Sequence, residues 1–530
     1  GYDAAGNQTS VTDPLGRVTS KGYDAANRLT SIGYSDGSTP NVTIGYDPDN
    51  QQSSLTDGTG TSTWAWDSLH RITSYTDGHG DSASFGWDLA GHKTSITYPG
   101  SHVVSYGYDA AGRMSSMTDW LSHTTSFGYD PDSDPASTTF PTATSDVDSF
   151  GFDRADRQTS SVFAQGSSTL ASVAYTRDNK GLITQTTSTG LPAGDSHAYG
   201  YNTLDQLTSD NADSYAYDAA DNPTTLMSAG PNSFDAANEL TATPAATFGY
   251  NSLGERTSTT PTGGSATTYG YDQAGRLASY TPPTGPAASY AYDGSGLRMS
   301  KTVGTTTTHF LWDPTGTLPL LLSDGSTNYL YGPDGNVTEQ IDAGGIPTYY
   351  HHDQLGSTRL LTDSTGAATA TFSYTPYGGL AGSTGTQSTP IGYAGEYTDP
   401  ETGFQYLRAR YYDPGAGQFL TRDPLLQQTR EAYVYTHDNP VSGSDPSGKL
   451  MPGEGGTGRC DWGGCPKVAK QRRRRPPVRK DSRCRGVRGL DKYRCQFPGP
   501  GEGPSGGAAP NDGTSRGPLP PPTLPPVIGE

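Results

Sequence analysis

The alternation of apolar and polar residues along this chain is short and has a period of two. Segments 28–32 (Arg-Leu-Thr-Ser-Ile) and 71–75 (Arg-Ile-Thr-Ser-Tyr) place β-branched and aromatic residues in partial alternation, a pattern typical of short strands. No long stretch has the apolar spacing of an amphipathic helix. The pattern therefore predicts an all-β protein.

One phrase recurs along the first 300 residues: an aromatic residue, then Asp, then a small-residue turn, often followed by Arg-Leu-Thr-Ser. From Ala65 to Gly128 the phrase returns every 21 residues, and the same step separates Gly249, Gly270 and Ala291. A fixed period of this length is the mark of a repeat architecture. Most of the chain is thus one structural unit copied many times, and no single repeat is expected to be an active site.

Each repeat is predicted to be a β-hairpin. In residues 107–117 (GYDAAGRMSSM) the Asp side chain can cap its own turn, and Gly112 can adopt positive φ without steric cost. Asp-Gly steps such as Asp57-Gly58 supply the second turn of the unit. A single hairpin cannot bury a core. We therefore expect the hairpins to stack, with the Tyr of one repeat over the next, into a long antiparallel sheet wound as a spiral or closed as a shell.

Composition and charge divide the chain in two. Only 31% of residues are apolar, but the 34 tyrosines and the regular period argue against a disordered chain. Residues 1–448 carry 19 Lys+Arg against 47 Asp+Glu, whereas residues 449–530 carry 16 against 7. An acidic body joined to a basic tail indicates two parts with different roles.

The cysteines and the chain start bear on localisation. All four cysteines lie after residue 448, and a cysteine-free body fits an exported protein. No signal peptide or membrane span is visible, and the chain begins within a repeat. We therefore expect a C-terminal fragment of a secreted or cell-surface protein whose targeting segment lies outside this sequence.

The repeat changes character after about residue 300, and the new motifs indicate a family. They comprise YYHHDQLGSTR from Tyr349, YTPYG from Tyr374, GYAGEY from Gly392, ETGFQYLRARYYDP from Glu401, GQFLTRDP from Gly417 and DPSG from Asp445. This run resembles the RHS repeat-associated core domain, which follows YD repeats in bacterial polymorphic toxins, wall-associated proteins and the C component of Tc toxins. The resemblance spans residues 1–448.

The resemblance implies a domain order and a function. Residues 1–300 would form the YD-repeat β-spiral, residues 301–448 the core that plugs it, and residues 449–530 a variable effector. The spiral would close into a hollow cocoon that encloses the effector and cuts it from the shell.

The resemblance also assigns residues to that cut. Asp423 and Asp445, each in an Asp-Pro step, would act as an aspartic-protease-like dyad, with Arg422 as the third member. Two carboxyls held close cannot both ionise, so that one can activate water while the other donates a proton. The family usually has Leu or Met directly after the Gly of DPxG. The resemblance places the cut directly after that residue. Here Lys449 stands in its place, so the alternatives are a cut at Lys449–Leu450, a cut at Leu450–Met451 or no cut, and the cleavage region comprises Gly448, Lys449, Leu450 and Met451.

Other polar clusters have plainer interpretations. A metal site at His351 and His352 is conceivable, but adjacent strand residues point to opposite faces, which favours a structural role. Arg408 and Arg410 alternate with apolar residues, consistent either with a charged inward strand face or with a shell lining.

The tail leaves several alternatives open. Disulfides are favoured over zinc for its four cysteines because their spacing matches no strong zinc motif; they are Cys460, Cys465, Cys484 and Cys495. The basic run 467–480 could bind nucleic acid or anionic lipid, or be cargo of the acidic shell. Residues 496–530 are predicted to be disordered.

Two hypotheses of function follow. The first is the shell of a secreted polymorphic toxin, with its own effector as cargo, a possible immunity protein, and at most one self-directed cleavage near residue 450. The second is a cell-surface adhesion module whose exposed tyrosines bind carbohydrate. We expect no cofactor, no metal outside the weak cysteine candidates, and nucleic-acid binding only through the tail.

Overall fold

In the computed structural model, residues 1–449 and Met451 are described, and they form strands joined by tight turns. Every strand pair is antiparallel, and almost every strand pairs with the next one in the chain. The predicted all-β fold of antiparallel hairpins is confirmed. Residues 452–530, and with them the predicted effector, the cysteines and the predicted disorder, lie outside the described residues.

The first sheet contains 20 strands in sequence order. They are β1 Ser10–Thr12, β2 Val18–Tyr23, β3 Leu29–Tyr34, β4 Val42–Tyr46, β5 Gln52–Asp57, β6 Gly60–Trp66, β7 Ile72–Thr76, β8 Ser82–Trp87, β9 Lys93–Tyr98, β10 His102–Tyr108, β11 Met114–Thr118, β12 Thr124–Tyr129, β13 Pro135–Thr139, β14 Asp146–Phe152, β15 Gln158–Gln165, β16 Ser168–Arg177, β17 Ile183–Thr189, β18 His197–Tyr201, β19 Leu207–Asp210 and β20 Asp213–Ser214.

Four smaller sheets follow. The second is β21 Ala216–Tyr217 and β22 Pro223–Thr225. The third is β23 Ser233–Phe234, β24 Leu240–Ala242, β25 Ala246–Tyr250, β26 Arg256–Pro261, β27 Thr267–Tyr271, β28 Leu277–Thr281, β29 Ala288–Tyr292, β30 Arg298–Val303 and β31 Thr306–His309. The fourth is β32 Leu311–Asp313, β33 Leu320–Ser323, β34 Thr327–Tyr331, β35 Val337–Asp342, β36 Pro347–His352, β37 Thr358–Thr362, β38 Ala368–Tyr374 and β39 Leu380–Gly385. The fifth is β40 Tyr397–Thr398, β41 Gln405–Tyr406, β42 Tyr411–Asp413 and β43 Gln418–Phe419.

Helices are few and short in the described part of the chain. One α-helical turn, α1, spans Leu426–Thr429. Three 3-10 turns span Pro99–Ser101, Tyr393–Gly395 and Thr436–Asp438. Among the described residues no helix has the length and apolar character needed to span a membrane.

The repeated Gly-Tyr-Asp phrase marks a bulge at the end of each hairpin. In the β10–β11 hairpin, Gly107 pairs with Ser116 while Tyr108 pairs with Met114, so the register shifts between Gly107 and Tyr108. A Cβ at Gly107 would lie 2.5 Å from Ser116 Oγ, which explains why Gly recurs opposite the Ser of the phrase. The bulge then directs the chain into the turn.

The Asp of the phrase organises that turn. Asp109 Oδ1 accepts from the backbone N–H groups of Ala111 and Arg113, each at 2.9 Å, and Oδ2 accepts from Arg113 Nε at 2.7 Å. Gly112 adopts φ of 76°, as expected at the fourth position. The carboxylate therefore satisfies the turn and pairs with the Arg at the same time.

The Tyr and Arg of successive repeats join neighbouring hairpins. Tyr129 donates its hydroxyl to the carbonyl of Met114 at 2.7 Å, and the Arg113 guanidinium carbon lies 4.5 Å from the centroid of the Tyr129 ring. The expected stacking of Tyr on Tyr is therefore wrong at this repeat. An Arg–Tyr cation–π contact takes its place, because the turn Asp directs the Arg over the next ring.

The repeat sheet buries one face against later strands. Ile96, Val104 and Met117 pack in one cluster with Leu322 and Leu330 of the fourth sheet. Other clusters combine the third sheet with the fourth and fifth sheets, and strands β16–β19 with residues 377–441. The core thus lies between repeat strands and the segment that follows residue 310.

Buried ion pairs cross the same contact between layers. They are Lys93–Asp313, Arg256–Asp413, Arg298–Asp399 and Arg359–Asp195. Each joins a strand or loop of the first 300 residues to the later segment. Because a buried charge without its partner is costly, these pairs select one register between the layers.

The pair Lys93–Asp313 gives a test of this contact between layers. Its Nζ–Oδ2 distance is 2.5 Å and both side chains are almost fully buried. We expect Lys93→Met to lower the free energy of unfolding by about 3–5 kcal/mol because Asp313 is left as an uncompensated charge. Urea denaturation should show that Lys93→Met/Asp313→Asn recovers most of this loss. An equal loss in the double variant would contradict the role of the pair.

Buried carboxyl groups make the free energy of unfolding depend on pH. Burial raises the pKa of Asp77 and of Asp293 to about 6 in the folded state. Between about pH 4 and 6 the folded protein holds protons that the unfolded chain releases, so stability falls as pH rises through this window. We expect unfolding to cost at least about 1.4 kcal/mol more at pH 5 than at pH 7.5, the value of one pKa unit.

Calorimetry across this pH range measures the effect. The matched variant Asp77→Asn removes one titrating group and should flatten the dependence. A stability that rises from pH 5 to 7.5 would contradict the assignment.

Candidate active site

Three separate segments of the chain meet beside β42 of the fifth sheet. Arg410 directly precedes β42, Asp423 lies between β43 and α1, and Asp445 opens the last described turn. The loop after β43 is held by backbone bonds from Phe419 to Tyr433 at 3.0 Å and from Asp423 to Ala432 at 2.8 Å. These bonds bring Asp423 toward β42.

Arg410 lies between the two aspartates. Its Nη2 is 3.6 Å from Asp423 Oδ2 and 3.6 Å from Asp445 Oδ2. The side chain of Arg410 is buried and stacks over Phe419, with 3.5 Å between the guanidinium carbon and the ring centroid. Burial lowers the pKa of Arg410, and the charges of Asp423 and Asp445 oppose that shift. The structure thus places beside one guanidinium the two aspartates that the resemblance indicates.

The predicted third member, Arg422, is placed elsewhere. Its side chain is exposed and its Cδ lies over Gly254, where a Cβ would approach it to 2.3 Å. Arg410 occupies the position between the carboxylates instead. The sequence holds a weak signal for this residue, since Arg408 and Arg410 alternate with apolar residues just before β42, but that pattern does not reveal what either side chain contacts.

Each aspartate has one carboxylate oxygen held by its own turn. Asp423 Oδ1 accepts from the backbone N–H of Leu425 at 2.6 Å. Asp445 Oδ1 accepts from Ser447 Oγ at 2.9 Å and from the Lys449 N–H at 3.1 Å. The Oδ2 atoms of both residues consequently face Arg410.

The segment 445–449, here called the strap, is fixed to the turn that precedes β42. Arg408 Nη1 donates to the Pro446 carbonyl at 2.8 Å, and the Ala409 N–H donates to the Ser447 carbonyl at 3.2 Å. Arg410 Nε donates to the Gly448 carbonyl at 2.5 Å. Three successive residues therefore bind three successive residues of the strap.

The peptide bond between Gly448 and Lys449 is held at both ends. Its carbonyl oxygen accepts from Arg410, and its N–H donates to Asp445. A guanidinium donor at the carbonyl oxygen can stabilise negative charge there, and a carboxyl group beside the amide nitrogen is within reach for proton transfer.

A second buried acid lies beside the strap. Glu396 pairs with Arg408, the residue that also holds Pro446. Burial raises the pKa of Glu396 to about 7, Arg408 opposes the rise, and the charge of Asp445 adds to it. The strap thus lies in a buried environment with more acidic than basic groups.

The remaining sequence candidates are placed as follows. Gly448 and Lys449 belong to the strap, the Met451 sulfur lies against Gly443, and Leu450 lies outside the described residues. His351 bonds Asp148 at 2.7 Å and Thr362 at 3.0 Å, whereas His352 bonds the Val337 carbonyl at 2.6 Å. The two histidines serve different contacts, in agreement with the structural role expected for them.

The sequence of this chain matches known protein families. Residues 146–441 match the teneurin YD-shell family, and residues 2–39, 46–83 and 87–124 match the RHS repeat. Since the first match covers more than half of the chain, the protein belongs to the teneurin YD-shell family. The match extends across residue 300, so the predicted boundary there stays a prediction.

Individual relatives are similar over limited segments. The chain is 32% identical over 165 residues to the tRNA3(Ser)-specific nuclease WapA of Bacillus spizizenii, which covers 28% of this chain and 7% of WapA. It is 32% identical over 105 residues to the toxin protein Tse5 of Pseudomonas aeruginosa, which covers 20% of this chain and 8% of Tse5. The chain therefore spans only a small part of the length of these relatives.

Among solved structures, the Tc holotoxin pore of Photorhabdus luminescens matches with a TM-score of 0.64 and 15% identity. The match covers 87% of this chain and 27% of that one. At this identity the likeness supports the β-shell fold and no more.

Gly448 gives a test of how the strap is held. It adopts φ of 64°, and a Cβ there would lie 2.7 Å from the Leu407 carbonyl oxygen and 2.9 Å from the backbone nitrogen of Arg410. Gly403 has φ of 72° with no atom within 4 Å of such a Cβ. We expect Gly403→Ala to cost only the left-handed strain of about 1–2 kcal/mol, and Gly448→Ala to cost more because the strap must move.

Hydrogen exchange distinguishes the two variants. The amides of residues 445–449 should exchange faster in Gly448→Ala and remain unchanged in Gly403→Ala. Equal protection of the strap in both variants would contradict the close approach.

Proposed function

We propose that this chain is the shell of a secreted polymorphic toxin, which encloses its C-terminal segment and releases it by one self-cleavage. The observation that carries the proposal is the Gly448–Lys449 bond held between Arg410 and Asp445, with Asp423 Oδ2 3.6 Å from Nη2 of the same guanidinium. Membership of the YD-shell family and similarity to toxins support the shell part of the proposal.

The cleavage proceeds by attack of water on the Gly448 carbonyl carbon. Asp423, ionised, takes a proton from the water, and Asp445, protonated, donates its proton to the Lys449 nitrogen as the C–N bond breaks. Arg410 Nε stabilises the negative charge that develops on the Gly448 oxygen. The products are a carboxyl group on Gly448 and an amine on Lys449, with one water consumed.

The charges of the site support one shared proton. One guanidinium and two ionised carboxylates would leave a net negative charge in a buried site, whereas one proton held by the pair leaves it neutral. Because the substrate is the chain itself, the high effective concentration of the bound strap suffices for one turnover.

Charge supports the C-terminal segment as cargo. Residues 449–530 are basic and the preceding body is strongly acidic, so the shell attracts the segment until it is released. Such a toxin would be exported, would act in competition between cells, and would need an immunity protein in the producing cell. The activity of the released segment belongs to that segment and not to the shell.

Expression of the full chain tests the cleavage. We expect a denaturing gel and intact-mass spectrometry to show two fragments, with the cut at Gly448–Lys449. Cuts at Lys449–Leu450 or Leu450–Met451 would have distinct masses. Asp423→Asn and Asp445→Asn, which keep the side-chain shape, should slow cleavage by about 100-fold or more, as should Arg410→Gln.

The matched control is Asp109→Asn, a turn aspartate of the repeats that should leave cleavage unchanged. Thermal unfolding of each variant shows whether it is folded. Cleavage that persists in folded Asp423→Asn and Asp445→Asn would overturn the dyad. An uncut wild-type chain that binds glycans would support the adhesion module instead.

A further inference from the structure

Two buried acids and a histidine lie together where the repeat sheet meets the fourth sheet. Asp119 and His123 belong to the turn between β11 and β12, and Glu339 lies in β35. One potential ligand atom from each residue lies within 4.8 Å of the others. The sequence does not predict this group because its members are distant in the chain.

The turn fixes two of the three side chains. Asp119 Oδ1 accepts from the backbone N–H groups of Leu121 at 2.9 Å and His123 at 2.7 Å. Asp119 Oδ2 is 3.1 Å from His123 Nδ1. His123 lies four residues after Asp119, as Arg113 lies four residues after Asp109, so an imidazole and not a guanidinium lies beside the carboxylate here.

Glu339 completes the group without compensation for its charge. It is 1% exposed, and its Oε1 has no hydrogen-bond partner among the described residues. Among residues 1–449 and Met451, no Lys or Arg forms an ion pair with it. An ionised Glu339 here requires a positive charge that the described residues do not supply.

We propose that Asp119, His123 and Glu339 bind one divalent transition-metal cation of the Zn²⁺ class. One imidazole nitrogen and two carboxylate oxygens form a ligand set that suits such cations. The His123 side chain is one-third exposed, which leaves a path for the metal and room for water as a further ligand. The cation neutralises two buried carboxylates and joins a repeat hairpin to the fourth sheet.

Another turn of the chain contains a similar Asp–His pair and supplies a control. Asp88 and His92 form the same pair, with Oδ2 and Nδ1 2.8 Å apart. Among the described residues no third acidic, His or Cys ligand joins them in a group of this kind. His92→Ala therefore removes a similar histidine without touching the proposed site.

The test uses the full chain with the four tail cysteines replaced by Ser, so that thiolates cannot bind the metal. After removal of metal with a chelator, equilibrium dialysis against Zn²⁺ and elemental analysis should give one bound equivalent. Glu339→Gln and His123→Ala should lose that equivalent, whereas His92→Ala should keep it. Zn²⁺ should also raise the melting temperature of the parent and of His92→Ala, but not of the other two variants.

Cobalt spectroscopy gives a second measurement. Co²⁺ added to the same parent should give weak visible bands of nitrogen and oxygen coordination, and Glu339→Gln should abolish them. If the parent binds no Zn²⁺ and no Co²⁺, the proposal is overturned. Equal metal binding by folded Glu339→Gln would also overturn it.

Discussion

Two buried arginines of the third sheet determine where β42 lies, and the candidate active site depends on that strand. Arg298 Nη1 donates to the Tyr411 hydroxyl at 2.8 Å and pairs with Asp399. Arg256 Nη1 binds Asp413 Oδ2 at 2.6 Å. The strand is thus held at both ends by cations that cannot shift without exposing an uncompensated charge. Arg410, directly before Tyr411, takes its position from these contacts.

The fold could be predicted from the sequence because its information is local and repeated. The turn Asp, the Gly opposite Ser and the alternating strands lie within about ten residues of one another, and each copy confirms the others. The contact between Arg113 and Tyr129 was not predictable in the same way, because it depends on the register between hairpins. The pairing of neighbouring strands could be inferred from the sequence pattern. The side chains that contact each other between successive hairpins could not.

Little of the candidate site, in contrast, could be predicted from local sequence patterns. Asp423 and Asp445 could be selected only through resemblance to a family, since Asp-Pro steps also occur in ordinary turns such as that of Asp413. Arg410 was not selected because its role depends on three segments that meet only in the folded chain. Glu339 was missed for the same reason: no local pattern indicates that it faces the turn of Asp119. The contacts between charged side chains that are distant in the chain are the part of this structure that the sequence does not predict.

The departure at Lys449 that the resemblance to the RHS repeat-associated core domain implies has a physical interpretation. The described contacts of that residue are made by its backbone N–H, which donates to Asp445 and Ser447. Its side chain is exposed, so neither its charge nor its length enters the contacts that hold the Gly448–Lys449 bond. Gly448, in contrast, is constrained by the close approach of Leu407 and Arg410. The strap therefore depends on the residue before the bond and tolerates variation in the residue after it.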